Sequence, residues 1–207
     1  MSVKCTGIIL AGGENSRFGG DDKAFFRLSG RRLISPIIEL FSSLFEDVIV
    51  VAANPRLYLE WDLTVVSDVL PIRSSLTGIY TGMFYASTPY IFVSACDTPF
   101  IRKELVELIV SEIRPGLAAV MPETGAGVEP LFAAYSKACL PMVENAVKNR
   151  KFKIRRVFRK KRVKLVSEKK VLAADPELLS FFNINTPEDL DRAAVLAGDQ
   201  MKGCLHG

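Results

Sequence analysis

Leu10-Ala11-Gly12-Gly13-Glu14-Asn15-Ser16-Arg17-Phe18-Gly19-Gly20-Asp21-Asp22-Lys23 is the most informative stretch of the chain. It continues from Gly7-Ile8-Ile9-Leu10, an apolar run that reads as a buried first strand ending in glycines. Gly12 and Gly13 let the backbone turn sharply and come close to a ligand. Successive backbone N–H groups in such a turn can cradle phosphate oxygens. Arg17 can bind a phosphate through two parallel N–H bonds, and Lys23 supplies a point charge. Read more plainly, the same residues are a strand-to-helix turn with solvated cations. The loop is not a Walker A motif, because no Lys-Ser/Thr follows a G-x4-G, and it is not G-x-G-x-x-G.

Outward from this loop, apolar runs alternate with helical patterns. Leu33 to Phe45 has apolar residues at 34, 37, 38, 41, 44 and 45, a helix period that tolerates Pro36 in its first turn. Asp47 to Ala52 reads as a second strand stopped at Asn54-Pro55, and Leu63 to Val66 as a short third strand ending at Asp68. Leu76 to Ala86 reads as a helix, Tyr90 to Ala95 as a fourth strand, and Ile101 to Ile113 as a helix closed by Pro115-Gly116. Leu117 to Met121 and Leu131 to Tyr135 read as two more strands around a loop with Gly125 and Gly127. The alternation predicts an α/β protein with a mostly parallel sheet, to which the later strands add an antiparallel edge. In such sheets ligands bind outside the carboxyl ends of the strands. Gly12, Gly13, Asn54, Asp68 and Asp97 all follow predicted strands, so they are expected to converge on one edge.

The 207 residues suit one domain that removes about 70% of its unfolded surface from water. The net charge of +4 hides a split. Residues 148–170 hold 13 Lys/Arg against Glu168 alone, giving +12, while the other 184 residues hold 14 Lys/Arg and 22 Asp/Glu, giving −8. That window reads as a solvated edge, as a surface attracting an anionic cofactor or its carrier, or as a nucleic-acid contact. Val157, Phe158, Val163, Leu165 and Val166 are interleaved with the charges, and Val163 to Val166 reads as a strand. Cys5, Cys96, Cys139 and Cys204 form no CxxC pair, and His206 is the one histidine, which argues against a zinc centre and against a His-based nucleophilic enzyme. No secretory leader is expected at Met1 to Cys5, and no apolar run approaches the ~20 residues of a membrane span. The expected compartment is cytoplasmic, with reduced thiols.

Two further strings carry chemistry. Ser94-Ala95-Cys96-Asp97-Thr98-Pro99-Phe100 follows a hydrophobic strand and places Asp97 where a carboxylate can hold a magnesium ion bridging substrate phosphates. Taken singly, Asp-Thr-Pro is also an ordinary turn. Phe182-Asn183-Ile184-Asn185-Thr186-Pro187-Glu188-Asp189-Leu190 reads as a strand into an N-capped helix, with Thr186 as N-cap and Pro187 at its first position. Capping does not explain Asn183 and Asn185, two alternate amides that a strand would point to one face.

The string L-A-G-G-x-x-S-R-F-G-x-x-K resembles the first signature of nucleotidyltransferases with a Rossmann-like, GT-A type sheet, and this implies a three-layer α/β/α sandwich. That signature is shared by sugar-phosphate nucleotidyltransferases, methylerythritol-pathway cytidylyltransferases and molybdenum cofactor nucleotidyltransferases. C-D-x-P-F at 96–100, N-I-N-T-P-E-D-L at 183–190 and the x-P-L segment Glu129-Pro130-Leu131-Phe132 look like the molybdenum cofactor guanylyltransferase family (MobA-like). The cytidylyltransferases tend to carry Asp where Asn183 and Asn185 stand. The resemblance covers nearly the whole chain, 1–207 as one nucleotidyltransferase domain, with a nucleotide-binding part over about 1–100 and an acceptor part over about 101–200. It implies that Leu10, Ala11, Gly12, Gly13, Lys23, Asn54, Asp68 and Asp97 bind the guanine nucleotide, that Asp97 also binds Mg2+, and that Arg17, Asn183 and Asn185 lie near the molybdopterin. The family's G-P-L-A-G appears here as Ser74-Ser75-Leu76-Thr77-Gly78, where Leu76 and Gly78 match and Gly78 joins the binding set.

The implied reaction transfers GMP from GTP to the phosphate of molybdenum-molybdopterin and releases pyrophosphate. A phosphate nucleophile is already anionic, so catalysis reduces to positioning and charge stabilisation by Arg17, Lys23 and the metal at Asp97. GTP, the molybdopterin and the proteins that deliver or accept it are the implied partners. The competing readings are a related enzyme using CTP or a sugar-phosphate acceptor, and a non-catalytic binding module of the same fold.

Overall fold

In a computed structural model, residues 4–12 and 23–203 are described; Gly13 and Arg17 lie outside the described residues, as does the Lys23 side chain. In chain order the strands are β1 (Cys5–Ala11), β2 (Arg27–Leu28), β3 (Arg31–Arg32), β4 (Val48–Ala52), β5 (Thr64–Val66), β6 (Tyr90–Ala95), β7 (Ala119–Thr124), β8 (Gly127–Val128), β9 (Phe132–Ser136) and β10 (Val163–Val166). The helices are α1 (Ile34–Leu44), α2 (Ser75–Tyr85), α3 (Lys103–Ser111), α4 (Leu140–Lys148), α5 (Ile154–Phe158), α6 (Glu168–Ala174) and α7 (Pro187–Gly203).

The main sheet runs β10-β7-β9-β6-β1-β4-β5, with β8 hairpinned onto β7. β1 lies parallel to both β4 and β6, and β4 parallel to β5. The antiparallel part of the sheet is β9, which opposes both β6 and β7, together with β8. β10 then closes that end parallel to β7. Strands β1 and β6 are buried on both faces, which is why they read as unbroken apolar runs.

Side chains alternate between two cores, as the period of a strand demands. Ile9 and Phe92 face α1, α3 and α6, where they meet Phe41, Ile109 and Val171. Ile8, Leu10 and Val93 face α2, α4 and α5, where they meet Ile79, Val147 and Phe158. The approach of α2 is very close: a Cβ on Gly78 would lie 2.9 Å from Leu10 Cδ2, and one on Gly82 would lie 2.9 Å from Ile8 Cγ2. Two glycines one helical turn apart therefore seat α2 directly on β1.

A third, smaller core of Leu33, Phe100, Leu179, Ile184 and Ala193 ties the C-terminal arm to the carboxyl end of the sheet. Among the described residues, no helix is long and apolar enough to cross a membrane.

The basic window is anchored by its apolar residues. Ile154, Phe158 and Val166 are buried, and the Phe158 ring lies 5.0 Å from that of Tyr135. All thirteen of its Lys and Arg residues are exposed. Among the described residues only Lys148 and Lys170 of them form ion pairs, with Glu144 at 2.6 Å and Glu112 at 2.5 Å. Exposed Lys164 on the short edge strand β10 also discourages edge-to-edge pairing with another sheet.

Candidate active site

The carboxyl ends of β1, β4, β5 and β6 open onto one edge of the sheet, as the strand reading predicts. At β1, Leu10 and Ala11 are buried and Gly12 is exposed. The Leu10 carbonyl accepts from Cys96 N–H at 3.0 Å, which sets the Cys96-Asp97 turn beside the first loop. A Cβ on Gly12 would meet nothing closer than 3.8 Å among the described residues, so packing does not demand a glycine there. What the glycine provides is an uncovered backbone at a strand end, where phosphate oxygens could approach N–H groups.

Gly78 has the opposite character. It is buried in α2 against Leu10, so its place in the fold is helix-to-strand packing. The serines that depart from the family pattern also have a local role: Ser74 caps α2, its Oγ accepting from Thr77 N–H at 3.1 Å.

Lys23 opens a short 3-10 turn, Lys23–Phe25. Two residues on, the Phe25 ring lies 5.0 Å from Tyr58 and 6.1 Å from Trp61. The Arg32 guanidinium sits 5.1 Å over Phe25 and 5.4 Å over Trp61, and it pairs with Glu60. This cluster clips the end of the first loop to the segment after β4, the same segment that begins with exposed Asn54. Sequence reasoning missed it, because residues 25 and 32 meet residues 58–61 across a long stretch of chain and no periodicity links them. The lone Trp61 close to a Pro-Arg-Leu-Tyr turn is the one available hint.

Asp68 lies past β5 at the rim. Its Oδ1 accepts from the Thr81 hydroxyl at 3.3 Å, and the same Thr81 oxygen accepts from Val69 N–H at 3.1 Å. Partial desolvation raises the Asp68 carboxyl above its ordinary range, outweighing Thr81 and the Arg73 guanidinium, which pull it down.

Asp97 is half-buried at the end of β6. The turn around it is held by Thr98, whose hydroxyl donates to the Ala95 carbonyl at 2.8 Å. The turn reading and the site reading of this segment are therefore both satisfied.

The Asn183–Asn185 segment runs alongside Asp97, Ile184 N–H donating to the Asp97 carbonyl at 3.0 Å. Ile184 is buried, while Asn183 and Asn185 are exposed on the opposite side, so the two amides do share a face. The segment is extended but is not a strand of the sheet, which differs from the sequence expectation. The reason is its flanks. Leu178 adopts a left-handed conformation before the 3-10 turn Leu179–Phe181, and Pro187 starts α7, so there is no room for a ladder.

Two devices fix this arm. Asp175, fully buried, accepts from Leu179 N–H at 3.2 Å and Ser180 N–H at 2.8 Å. Thr186 and Asp189 form a reciprocal capping box: Asp189 N–H donates to Thr186 Oγ1 at 3.2 Å, and Asp189 Oδ2 accepts from Thr186 N–H at 3.0 Å. Asp189 also accepts from Asn185 N–H, and these bonds hold its carboxyl below the ordinary range. Thr186 and Pro187 thus take the capping positions that the sequence predicts.

Among the described residues no cluster of three or more His, Cys, Asp or Glu could cage a metal. Magnesium does not need one; it commonly binds through one or two carboxylates, with water and substrate phosphates completing its shell. A single strand-end carboxylate at an open edge fits that pattern. Two of the described thiols, Cys5 and Cys139, are poor nucleophiles. Burial pushes Cys5 up to about 12 and raises Cys139 as well.

Comparison with known proteins agrees with this arrangement. Residues 7–166 match the family model described as "MobA-like NTP transferase domain". The chain is 43% identical over 93% of its length to a molybdenum cofactor guanylyltransferase of Desulfosudis oleivorans, covering 96% of that protein. It is 37% identical over 96% of its length to a probable molybdenum cofactor guanylyltransferase of Natranaerobius thermophilus, covering 98% of that protein. The crystal structure of molybdopterin-guanine dinucleotide biosynthesis protein A from Archaeoglobus fulgidus superposes with a TM-score of 0.82 at 27% identity, covering 94% of this chain and 99% of that one. The nucleotidyltransferase sheet, the glycine-led first loop and this similarity agree: the chain belongs to the family of MobA-like NTP transferase domains.

Proposed function

We propose that this protein is a molybdenum cofactor guanylyltransferase that transfers GMP from GTP to the terminal phosphate of molybdopterin. The observation that carries this is the contact between Ile184 N–H and the Asp97 carbonyl, which sets the Asn183/Asn185 face beside the Cys96-Asp97 turn. The nucleotide half of the edge is then Gly12, Gly13, Lys23, Asn54 and Asp68. Asp97, which binds the nucleotide and its metal in this reading, stands at the junction, and the acceptor half takes in Arg17, Asn183 and Asn185.

In the reaction a phosphate oxygen of the acceptor attacks the α-phosphorus of GTP. The new P–O bond forms as the bond to the β-phosphate breaks, and pyrophosphate leaves. No general base is required, because the nucleophile is already an anion. The exposed backbone at Gly12 and the glycine that follows it in the sequence receive the phosphates, and Lys23 and Arg17 offset the charge that builds on them. Asp97 would hold magnesium, which supplies Lewis-acid stabilisation of the phosphate oxygens. Buried Leu10 and Ala11 keep the first loop in register with the Asp97 turn.

The thirteen exposed cations of residues 148–170 add a positive field that draws in anionic substrates, and they present a surface for proteins that supply or take the cofactor. A cytoplasmic location follows from the same reading.

Thermal-shift titration with the four nucleoside triphosphates and magnesium tests the nucleotide half. GTP at about 100 times its Kd should stabilise the chain by about 2.7 kcal/mol, which is roughly 5–10 °C for a protein of this size. Equal shifts with all four, or none with GTP, would contradict the assignment.

A further inference from the structure

Glu129 is a half-buried carboxylate that the reaction described above leaves unused. It lies three residues before Phe132, which pairs with Ser94 in the antiparallel β6–β9 ladder. That puts Glu129 beyond the carboxyl end of β6, the end at which Asp97 sits, on the side away from β4 and β5. Its backbone is fixed at both ends. Glu129 N–H donates to the Pro122 carbonyl at 3.0 Å, and the Glu129 carbonyl accepts from Phe132 N–H at 3.3 Å. The next carbonyl, that of Pro130, accepts from the buried Tyr135 hydroxyl at 2.5 Å.

The side chain is different. Among the described residues its carboxyl takes no hydrogen bond and no ion pair within 4 Å. Desolvation raises it above the ordinary carboxylate range, and the Arg155 guanidinium, near enough to act electrostatically, only partly offsets this. Arg155 lies over the β7–β8 turn, its Nη1 3.1 Å from where a Cβ on Gly127 would stand. Gly127 has a φ of +117°, so a side chain there is disfavoured twice over. A half-buried carboxylate on a backbone fixed at both ends, with no donor from the chain among the described residues, is open to a ligand that donates to it.

From this geometry we infer that Glu129 is a specificity residue of the acceptor half, its two oxygens accepting the paired N–H donors of an amino-oxopyrimidine edge, the pterin end of the acceptor. The inference rests on the guanylyltransferase reading. A carboxylate matches two parallel N–H donors geometrically. Guanine and pterin share that edge. Position decides between them, because Glu129 lies across β6 from the nucleotide half.

Steady-state kinetics of the full chain and of Glu129→Gln, with GTP and molybdopterin varied in turn, tests it. Glutamine keeps the shape but replaces one acceptor oxygen with a donor. The expected result is a rise in acceptor KM of about tenfold to a hundredfold, with GTP KM and the GTP thermal shift unchanged. Glu129→Asp, which keeps the charge, should recover part of the loss.

Unchanged acceptor KM in Glu129→Gln would overturn the inference. So would a rise confined to GTP KM, which would assign Glu129 to guanine. If the unmodified chain shows no GTP-dependent transfer, the parent reading fails and takes the inference with it, whereas an active chain indifferent to Glu129→Gln refutes the inference alone.

Discussion

Asp97→Ala is expected to lower kcat/KM for GTP-dependent transfer by about 100- to 1000-fold, the cost of removing one well-placed electrostatic group from a transfer site, about 3–4 kcal/mol. The reaction has no acid–base step to share the load, so most of the barrier reduction must come from positioning and charge. Asp97→Asn should be nearly as impaired, because it keeps the size and loses the charge that would hold the metal. Neither change should unfold the chain. The Asp97 backbone carbonyl still receives Ile184 N–H, and the Thr98 hydroxyl still donates to the Ala95 carbonyl across the local turn. Melting curves within a few degrees of the unmodified chain would establish that. Activity within tenfold of normal in either variant would remove Asp97 from the reaction.

The second large effect is structural and comes from a residue far from any motif. Asp175→Ala should destabilise the protein by about 3 kcal/mol, since it strips two backbone N–H groups of a charged acceptor, each such bond contributing about 1.5–3 kcal/mol. For a chain of this size that is roughly 6–12 °C of Tm. The two orphaned groups, on Leu179 and Ser180, begin the arm that carries Asn183 and Asn185. Ser180 Oγ in turn accepts from Arg102 N–H at 2.9 Å, so the arm is joined to the start of α3 through the same turn. Loss of acceptor affinity should therefore accompany the fall in stability. A Tm change below 2 °C would show that the arm is held by its apolar contacts alone.

The residues explain which parts of this were legible. Strands β1 and β6 could be read because both their faces are buried, leaving no polar residue to interrupt the run. The carboxyl-edge positions of Gly12, Asn54, Asp68 and Asp97 followed from where those runs stop. The capping roles of Thr186 and Pro187 could also be read, because capping is a local interaction between residues a few positions apart.

Long-range partners were not legible. Nothing in the order of residues shows that β9 inserts between β6 and β7, or that β10 adds parallel to β7 at that end. The Phe25, Tyr58 and Trp61 contact has no spacing rule behind it. Asp175 belongs to no motif, and its burial follows only from the turn at 179–180 that wraps it.

Gly78 shows a further ambiguity: it matches a family position, yet the contact with Leu10 would demand a glycine there whatever the ligand. The basic window was legible as a charge run; of the apolar residues interleaved with it, Phe158 and Val166 are buried while Leu165 is exposed.

The central claim is the transfer itself, and one assay addresses it most directly. The purified chain, incubated with magnesium, molybdenum-loaded molybdopterin and either GTP or CTP, should release pyrophosphate and form the guanine dinucleotide with GTP and give little product with CTP. Equal or greater product with CTP, or no dinucleotide with either, would contradict the account.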